Sequence, residues 1–333
     1  MRALVTGAAG FVGGHLLRLL CRLGHEPHAL VLQHESLHPE HGGLPTHRAS
    51  VTDEGALAKV LADVKPDWIF HLAAISRPAD CRANPTLARE VNIRGTENLY
   101  RAAAENCPAA RVLFIGSAVE YGRPASSAPI AEETPLDPQD VYAETKVAGD
   151  LLGAQYARDG KLAVIRVRPF NHTGPGQEPG FVAPDFARQI ARIEASVQEP
   201  RMQVGNLDAR RDFTDVRDVV RAYVLVLERC APGSVFNVCS GNAVPIRDIL
   251  DGLLAASAAR PEIVSVVAKK GTERGTEKGT VPMLGPSPSP DIVVGSPAAL
   301  RAATGWKPEI PLPQTLSDLL ADWRVRVARN PKA

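Results

Sequence analysis

The chain has 333 residues, enough for one large or two modest units with a full α/β core. Its 38 Lys and Arg against 37 Asp and Glu leave a formal charge of +1, which excludes a basic field for nucleic acid or an anionic membrane. Any phosphate bound here must therefore be held by local groups. No apolar run approaches the ~18 residues of a membrane span, and no signal-peptide pattern precedes the first strand-like run, so a cytoplasmic protein without a membrane partner is expected. Cys21, Cys81, Cys107, Cys230 and Cys239 are scattered without CxxC spacing, as suits reduced thiols rather than a disulfide or zinc framework.

From the N-terminus, ALVTG reads as a strand and the segment from Phe11 to Leu23 as a helix. EPHALVL, VTDEGALAKVLADV, DWIFHLAA, VNIRGTENLYRAAAEN and RVLFIGS then continue the alternation, followed by a helix over Val141 to Arg158 and a strand at KLAVIRVRPF. Continuous apolar strands separated by helices imply a parallel sheet covered on both faces, a Rossmann-type doubly wound α/β fold. The expected division is a dinucleotide-binding domain over 1–170 and a smaller C-terminal α/β substrate-binding region over 171–330, with later segments free to return to the sheet. Within the second region, residues 269–290 carry a GTER/GTEK duplication and several prolines, and read as a flexible insert.

VTGAAGFVGG sets Gly7, Gly10 and Gly13 between the first strand and the first helix. Glycines there allow a tight turn, close approach of a pyrophosphate and close helix packing, with the helix N-terminus facing the anion. The spacing is GxxGxxG, and its place in a βαβ unit points to NAD or NADP. The end of the second strand reads Val31, Leu32, Gln33, His34, without the acid that would hold ribose hydroxyls or an adjacent arginine for a 2′-phosphate. Arg48 could supply a charge or be solvated, so the choice between NAD and NADP stays open.

VYAETK places Tyr142 and Lys146 four apart on one helical face. A cation beside a phenol favours the phenolate, so Lys146 is expected to draw the Tyr142 pKa down toward neutrality for proton transfer to or from an alcohol oxygen. Ser117, ending the strand in FIGSAVEYG, would hydrogen-bond the same oxygen.

With these residues in place the chain resembles the extended short-chain dehydrogenases/reductases of the nucleotide-sugar epimerase and dehydratase kind. The likeness runs through TGAAGFVG, PDWIFHLAA, VNIRGTENL, FIGSAVEYG, YAETK, RPFNHTGPGQ, RRDFTDVRDVVRAY and TGWKPEIPL. FNHTGPGQEPGFVAPDFARQI and GNLDARRDFTDVRDVV are most similar to reductases of a GDP-bound 4-keto-6-deoxyhexose. The resemblance implies Ser117, Tyr142 and Lys146 as the catalytic set, and Gly7, Gly10, Phe11, Val12 and Gly13 as the cofactor loop. It places Leu72, Ala73, Ala74 and Asn92 beside the cofactor, with Tyr142 and Lys146 also touching it. It gives Asn171, His172 and Arg211 as substrate-binding positions, a nucleotide sugar as substrate, NADP or NAD as cofactor, and a homodimer.

Departures narrow the reaction. The family's dehydratases carry a carboxylate two residues after the catalytic hydroxyl, where this chain has Val119. Glu120, shifted by one, would face the other way on a strand-like exit and is expected at the surface or acting through its neighbours. Reduction of a ketone is thus favoured over elimination of water; a 4-epimerase and a cofactor-binding sensor without chemistry are the alternatives. Ala49 and Ser50 replace a Gly-Asp pair near the adenine side, and Gly285 and Pro286 stand where an Arg-Pro element is usual. His34, His38 and His41 are read as loop residues, with no metal site expected. Arg210 is a second phosphate candidate, solvated by default. Asp215, Arg217 and Asp218 are read as a helix start, and Trp306 as packing in the C-terminal region.

Overall fold

Strand β1 (Arg2–Thr6) is buried at four of its five positions, as is expected of a strand covered on both faces. Ala3 and Val5 enter one apolar cluster and Leu4 the other, the period-two alternation that a pleated strand imposes. The computed structural model describes residues 1–123, 126–266 and 292–331, so the insert expected at 269–290, with Gly285 and Pro286, lies outside the described residues.

The first half runs α1 (Phe11–Arg22), β2 (Glu26–Val31), β3 (Thr46–Arg48), α2 (Glu54–Val64), β4 (Trp68–His71), α3 (Pro78–Ala83), α4 (Pro85–Arg89) and α5 (Gly95–Asn106). A π-helical turn, Glu90–Arg94, joins α4 to α5. β5 (Arg111–Ile115), a 3₁₀ turn (Ala118–Tyr121), α6 (Val141–Arg158) and β6 (Ala163–Pro169) follow. The second half contains β7 (Asn171–Thr173), α7 (Val182–Glu194), β8 (Arg201–Val204), β9 (Arg210–Asp215), α8 (Val216–Arg229), β10 (Val235–Val238) and β11 (Ala243–Pro245). It ends with α9 (Ile246–Ala255), β12 (Glu262–Ser265), β13 (Ile292–Val293), α10 (Ala298–Thr304) and α11 (Leu312–Arg329).

Seven strands form one parallel sheet in the order β10-β6-β5-β4-β1-β2-β3, the doubly wound Rossmann-type arrangement. β10 returns to it from the second half, with Val235 in register with Arg166. The order reverses at β1 and β4, and ligands of such sheets bind in the crevice beyond the carboxyl ends at that point. One face packs on α1 and α8 through Leu16, Leu20, Val219 and Tyr223. The other packs on α2 and α5 through Leu57, Leu61, Leu99 and Tyr100.

A separate apolar cluster joins α7, α9 and α11 through Phe186, Ile190, Leu250, Leu319 and Trp323, backing the small sheets β11-β9-β13 (with β7 on β9) and β12-β8. Trp306 departs from expectation. It is buried in the cluster beneath the large sheet, its indole N–H donating to Asp218 O at 3.0 Å, because the chain after α10 runs back along α8. No helix among the described residues is long and apolar enough to cross a membrane.

Candidate active site

Gly7 holds φ +65°, a left-handed turn, and a β-carbon there would lie 2.8 Å from Ala73 N. A β-carbon on Gly13 would stand 2.6 Å from Gly7 O and 2.7 Å from Ala8 O, so the helix can seat on its turn only without a side chain. Gly10 caps α1 with no side-chain hydrogen bond. The loop therefore offers an uncapped helix N-terminus above a backbone-lined cradle, which fits a pyrophosphate. Phe11 and Val12 form the first turn over it, and Leu72, Ala73 and Ala74 leave β4 alongside, where Ala73 N–H donates to Thr6 Oγ1 at 3.0 Å.

A buried chain of polar groups fixes that strand end. Thr6 Oγ1 lies 3.0 Å from His71 Nδ1, and His71 Nε2 lies 2.9 Å from Thr96 Oγ1, which donates to Asn92 O at 2.6 Å. Burial holds the imidazole neutral, its pKa pushed down to about 3. Asn92 is itself occupied: its amide takes the Ile75 N–H at 2.8 Å and donates to Ile75 O and Thr145 Oγ1, both at 3.0 Å. It ties the loop after β4 to α6 from within the π-helical turn. His71 escaped the sequence reading; the signal available was a histidine closing the apolar run DWIFH.

The three catalytic candidates meet at the end of β5. Ser117 caps the 3₁₀ turn, and its hydroxyl stands near enough to the Tyr142 phenol to draw that group's pKa down. Asp140 caps α6 by accepting the Ala143 N–H at 2.9 Å, which starts the helix one residue ahead of Tyr142. A β-carbon on Gly149 would lie 2.5 Å from Phe114 Cζ, so α6 rests close on β5. That approach lets the buried Lys146 Nζ donate to Ile115 O at 2.8 Å, 5.9 Å from the Tyr142 ring centroid.

The electrostatics overturn one expectation. Burial pushes the Tyr142 phenol well above its ordinary value, with Glu120 adding to the rise and the Ser117 hydroxyl drawing it down. The same burial lowers Lys146 to about 8, against the pull of Glu120. Desolvation outweighs the cation, so the phenol keeps its proton and is set to donate it.

Glu120 is also not at the surface. It is fully buried, because the chain leaves β5 through the 3₁₀ turn rather than as an extended strand. Its Oε1 accepts the Ser117 main-chain N–H at 2.7 Å, in space that a side chain on Gly116 would fill. Its Oε2 lies 3.2 Å from Arg168 Nε, which aims its N–H at Asp150 Oδ2 3.0 Å away. Desolvation, with help from Asp150 and against Arg168, pushes the Glu120 carboxyl up to about 8. Val119, the dehydratase position, is 40% exposed and carries no acid.

The substrate candidates lie on the small sheet. Asn171 is exposed and in register with Phe213, and Arg211, two residues before Phe213, shares that face. His172 points the opposite way: its ring stacks on Phe11 with centroids 6.3 Å apart, and its Nδ1 lies 3.0 Å from Phe170 O. It therefore stands on the cofactor-loop side, apart from Asn171. Arg210 is exposed, as a solvated residue would be, and donates to Ala243 O at 2.8 Å. Asp215 caps α8, accepting the Arg217 N–H at 2.8 Å. His41 is buried, its Nε2 3.0 Å from Gly14 O, where it braces α1.

The family model described as GDP-mannose 4,6 dehydratase matches residues 4–319. The GDP-6-deoxy-D-mannose reductase of Pseudomonas aeruginosa is 36% identical over 328 residues, covering 98% of each chain. The structure of RMD from Pseudomonas aeruginosa complexed with NADPH superposes with a TM-score of 0.82 at 34% identity, over 98% of this chain and 99% of that one. The Thermus thermophilus UDP-glucose 4-epimerase in complex with NAD shares the fold, with a TM-score of 0.82 at 24% identity over 97% of this chain and 99% of that one. The chain belongs to the GDP-mannose 4,6 dehydratase family, NAD(P)-dependent extended short-chain dehydrogenases/reductases that modify nucleotide sugars.

Proposed function

We propose that this chain is a 4-ketoreductase that converts a nucleotide-activated 4-keto-6-deoxyhexose, with GDP-4-keto-6-deoxy-D-mannose foremost, into the corresponding GDP-6-deoxyhexose. One observation carries the reading: the Tyr142 phenol, its pKa raised by burial, stands beside Ser117 at a strand end where the eliminating carboxylate is absent, position 119 being an exposed valine. The similarity to the Pseudomonas reductase supports the substrate class.

When bound, the reduced nicotinamide supplies hydride to the carbonyl carbon. Tyr142 gives its phenolic proton to the carbonyl oxygen as charge develops there, and the Ser117 hydroxyl orients that oxygen by hydrogen bonding. Lys146 places a positive charge behind the phenol. Gly7, Gly10, Phe11, Val12 and Gly13 would hold the pyrophosphate of the cofactor, while Asn171 and Arg211 would hold the diphosphate of the sugar nucleotide. α5 and α6, with Leu151 of α6 56% exposed, supply the face on which a second copy would pair.

The test is incubation with GDP-4-keto-6-deoxymannose and NADH or NADPH, following absorbance of the reduced nicotinamide. Stoichiometric loss with a new GDP-deoxyhexose is expected. No consumption, together with tightly held NAD and interconversion of a stable sugar nucleotide with its 4-epimer, would replace the reductase by an epimerase.

A further inference from the structure

Strand β7 is three residues long and carries the chain past both candidate ligand sites. Successive side chains of a strand leave opposite faces, so Asn171 stands exposed on the side of Arg211 while His172 turns to the first turn of α1. Two neighbours in sequence thus border different ligands, Asn171 the side of the nucleotide sugar and His172 the side of the glycine cradle.

Several groups build the contact with α1. The His172 ring lies within 6° of parallel to the Phe11 ring, and its Nδ1–H donates to Phe170 O at 3.0 Å, which fixes the ring's orientation. One turn further along α1, His15 meets Phe11 edge-on with centroids 5.6 Å apart, and its Nε2–H donates to Pro175 O at 2.8 Å. A β-carbon on Gly176 would lie 3.8 Å from Phe11 Cδ2, and the φ of +90° at that glycine bends the segment around the ring. Beyond it the segment is fastened to α11, where Gly176 N–H donates to Asp322 Oδ2 and Arg326 Nη1 donates to Glu178 Oε1, both at 2.9 Å. The far end is anchored by α11, and the near end rests on a side chain of the cofactor loop.

Building on the reading of the chain as a nicotinamide-dependent enzyme of nucleotide sugars, we infer that β7 couples the two sites, so that a dinucleotide at the glycine cradle tightens nucleotide-sugar binding through Phe11 and His172 to Asn171. Phe11 opens α1 behind its cap Gly10, so the main-chain N–H groups that face a pyrophosphate belong to the turn whose ring His172 packs on. Anchoring that turn fixes the Phe11 ring, and the ring fixes His172 and the strand that carries it. The freedom lost at β7 is lost once, with the first ligand, and the second ligand meets a strand already ordered. His172 acts here as a positioning residue.

The experiment is calorimetric titration of the purified chain with GDP-mannose, which has no ketone to reduce, alone and with saturating NADH or NADPH, whichever binds more tightly. The dissociation constant of GDP-mannose is expected to fall about fivefold or more when the dinucleotide is present, and the reciprocal titration must return the same factor. His172→Ala, which removes the ring, should bring that factor close to one. His172→Phe, which gives Phe11 an aromatic face again, should restore it. A merely structural role for His172 would weaken GDP-mannose equally with and without the dinucleotide and leave the factor unmoved. A smaller factor in the wild type, an unmoved factor in His172→Ala, or no recovery in His172→Phe overturns the coupling while leaving the enzyme reading intact. Failure of GDP-mannose to bind with or without the dinucleotide overturns the nucleotide-sugar reading and the coupling with it.

Discussion

Glu120 Oε1 accepts the main-chain N–H of Ser117 at 2.7 Å, while the Ser117 hydroxyl accepts the Val119 N–H at 3.4 Å. This reciprocal cap closes the 3₁₀ turn after β5 and sets the direction from which Ser117 reaches Tyr142. Glu120 is thus buried beneath the Ser117 hydroxyl, in one network with Arg168 and Asp150, and would act on the proposed reaction by positioning that hydroxyl.

Removing that carboxyl should misplace Ser117 without touching the substrate. Glu120→Ala is expected to lower kcat about 10- to 100-fold with KM changed little, and to cost about 1–3 kcal/mol of stability by stranding the Ser117 N–H. Glu120→Gln, which retains an acceptor, should restore most of kcat. Steady-state kinetics beside urea unfolding of both variants checks the split; equal losses in the two would speak against positioning through hydrogen bonding.

Glu120 also gives stability a pH dependence of definite sign. Its folded pKa of about 8 lies above the ordinary carboxylate value of 4.5, so the folded chain holds a proton that the unfolded chain releases. This contribution is complete below about pH 4.5 and lost as pH rises through 8, the reverse of an ion-paired acid. Thermal unfolding of the wild type between pH 5 and 8.5 should show a falling contribution that Glu120→Gln abolishes.

Tyr142→Phe removes the proton donor and keeps the ring. Turnover is expected to fall about 10²–10⁴-fold, while nucleotide affinity measured by fluorescence stays within about threefold. Undiminished turnover would remove Tyr142 from the mechanism.

At the cofactor loop, Gly13→Ala places a methyl group 2.6 Å from Gly7 O and 2.7 Å from Ala8 O, both backbone atoms that cannot swing aside. The loop must open, at about 1–3 kcal/mol. Calorimetric titration with NADH should show affinity reduced more than tenfold, with the far-ultraviolet circular dichroism of the fold retained.

Much of the site was readable because its chemistry is local. Tyr142 and Lys146 share a helical face by spacing alone, the glycines of the first turn declare the cradle, and Ser117 ends an apolar run whose strand character is plain from composition. That a later segment could return to the sheet was allowed for, but that β10 is the one was not readable, since its pairing with β6 joins Val235 to Arg166 across an intervening region. Nor was the exit from β5: an extended reading put Glu120 outside, and a 3₁₀ turn puts it inside.

What the amino-acid sequence determines by itself is the set of local geometries: period-two strands, helical faces and tight turns, and hence the Rossmann-type sheet and the Ser117, Tyr142 and Lys146 set. What only the tertiary structure decides is environment. The raised phenol of Tyr142, the lowered ammonium of Lys146 and the buried acid at Glu120 all depend on which distant segments exclude water or supply a partner. Desolvation and charge are sums over neighbours in space, whereas spacing along a chain reports only the neighbours in sequence.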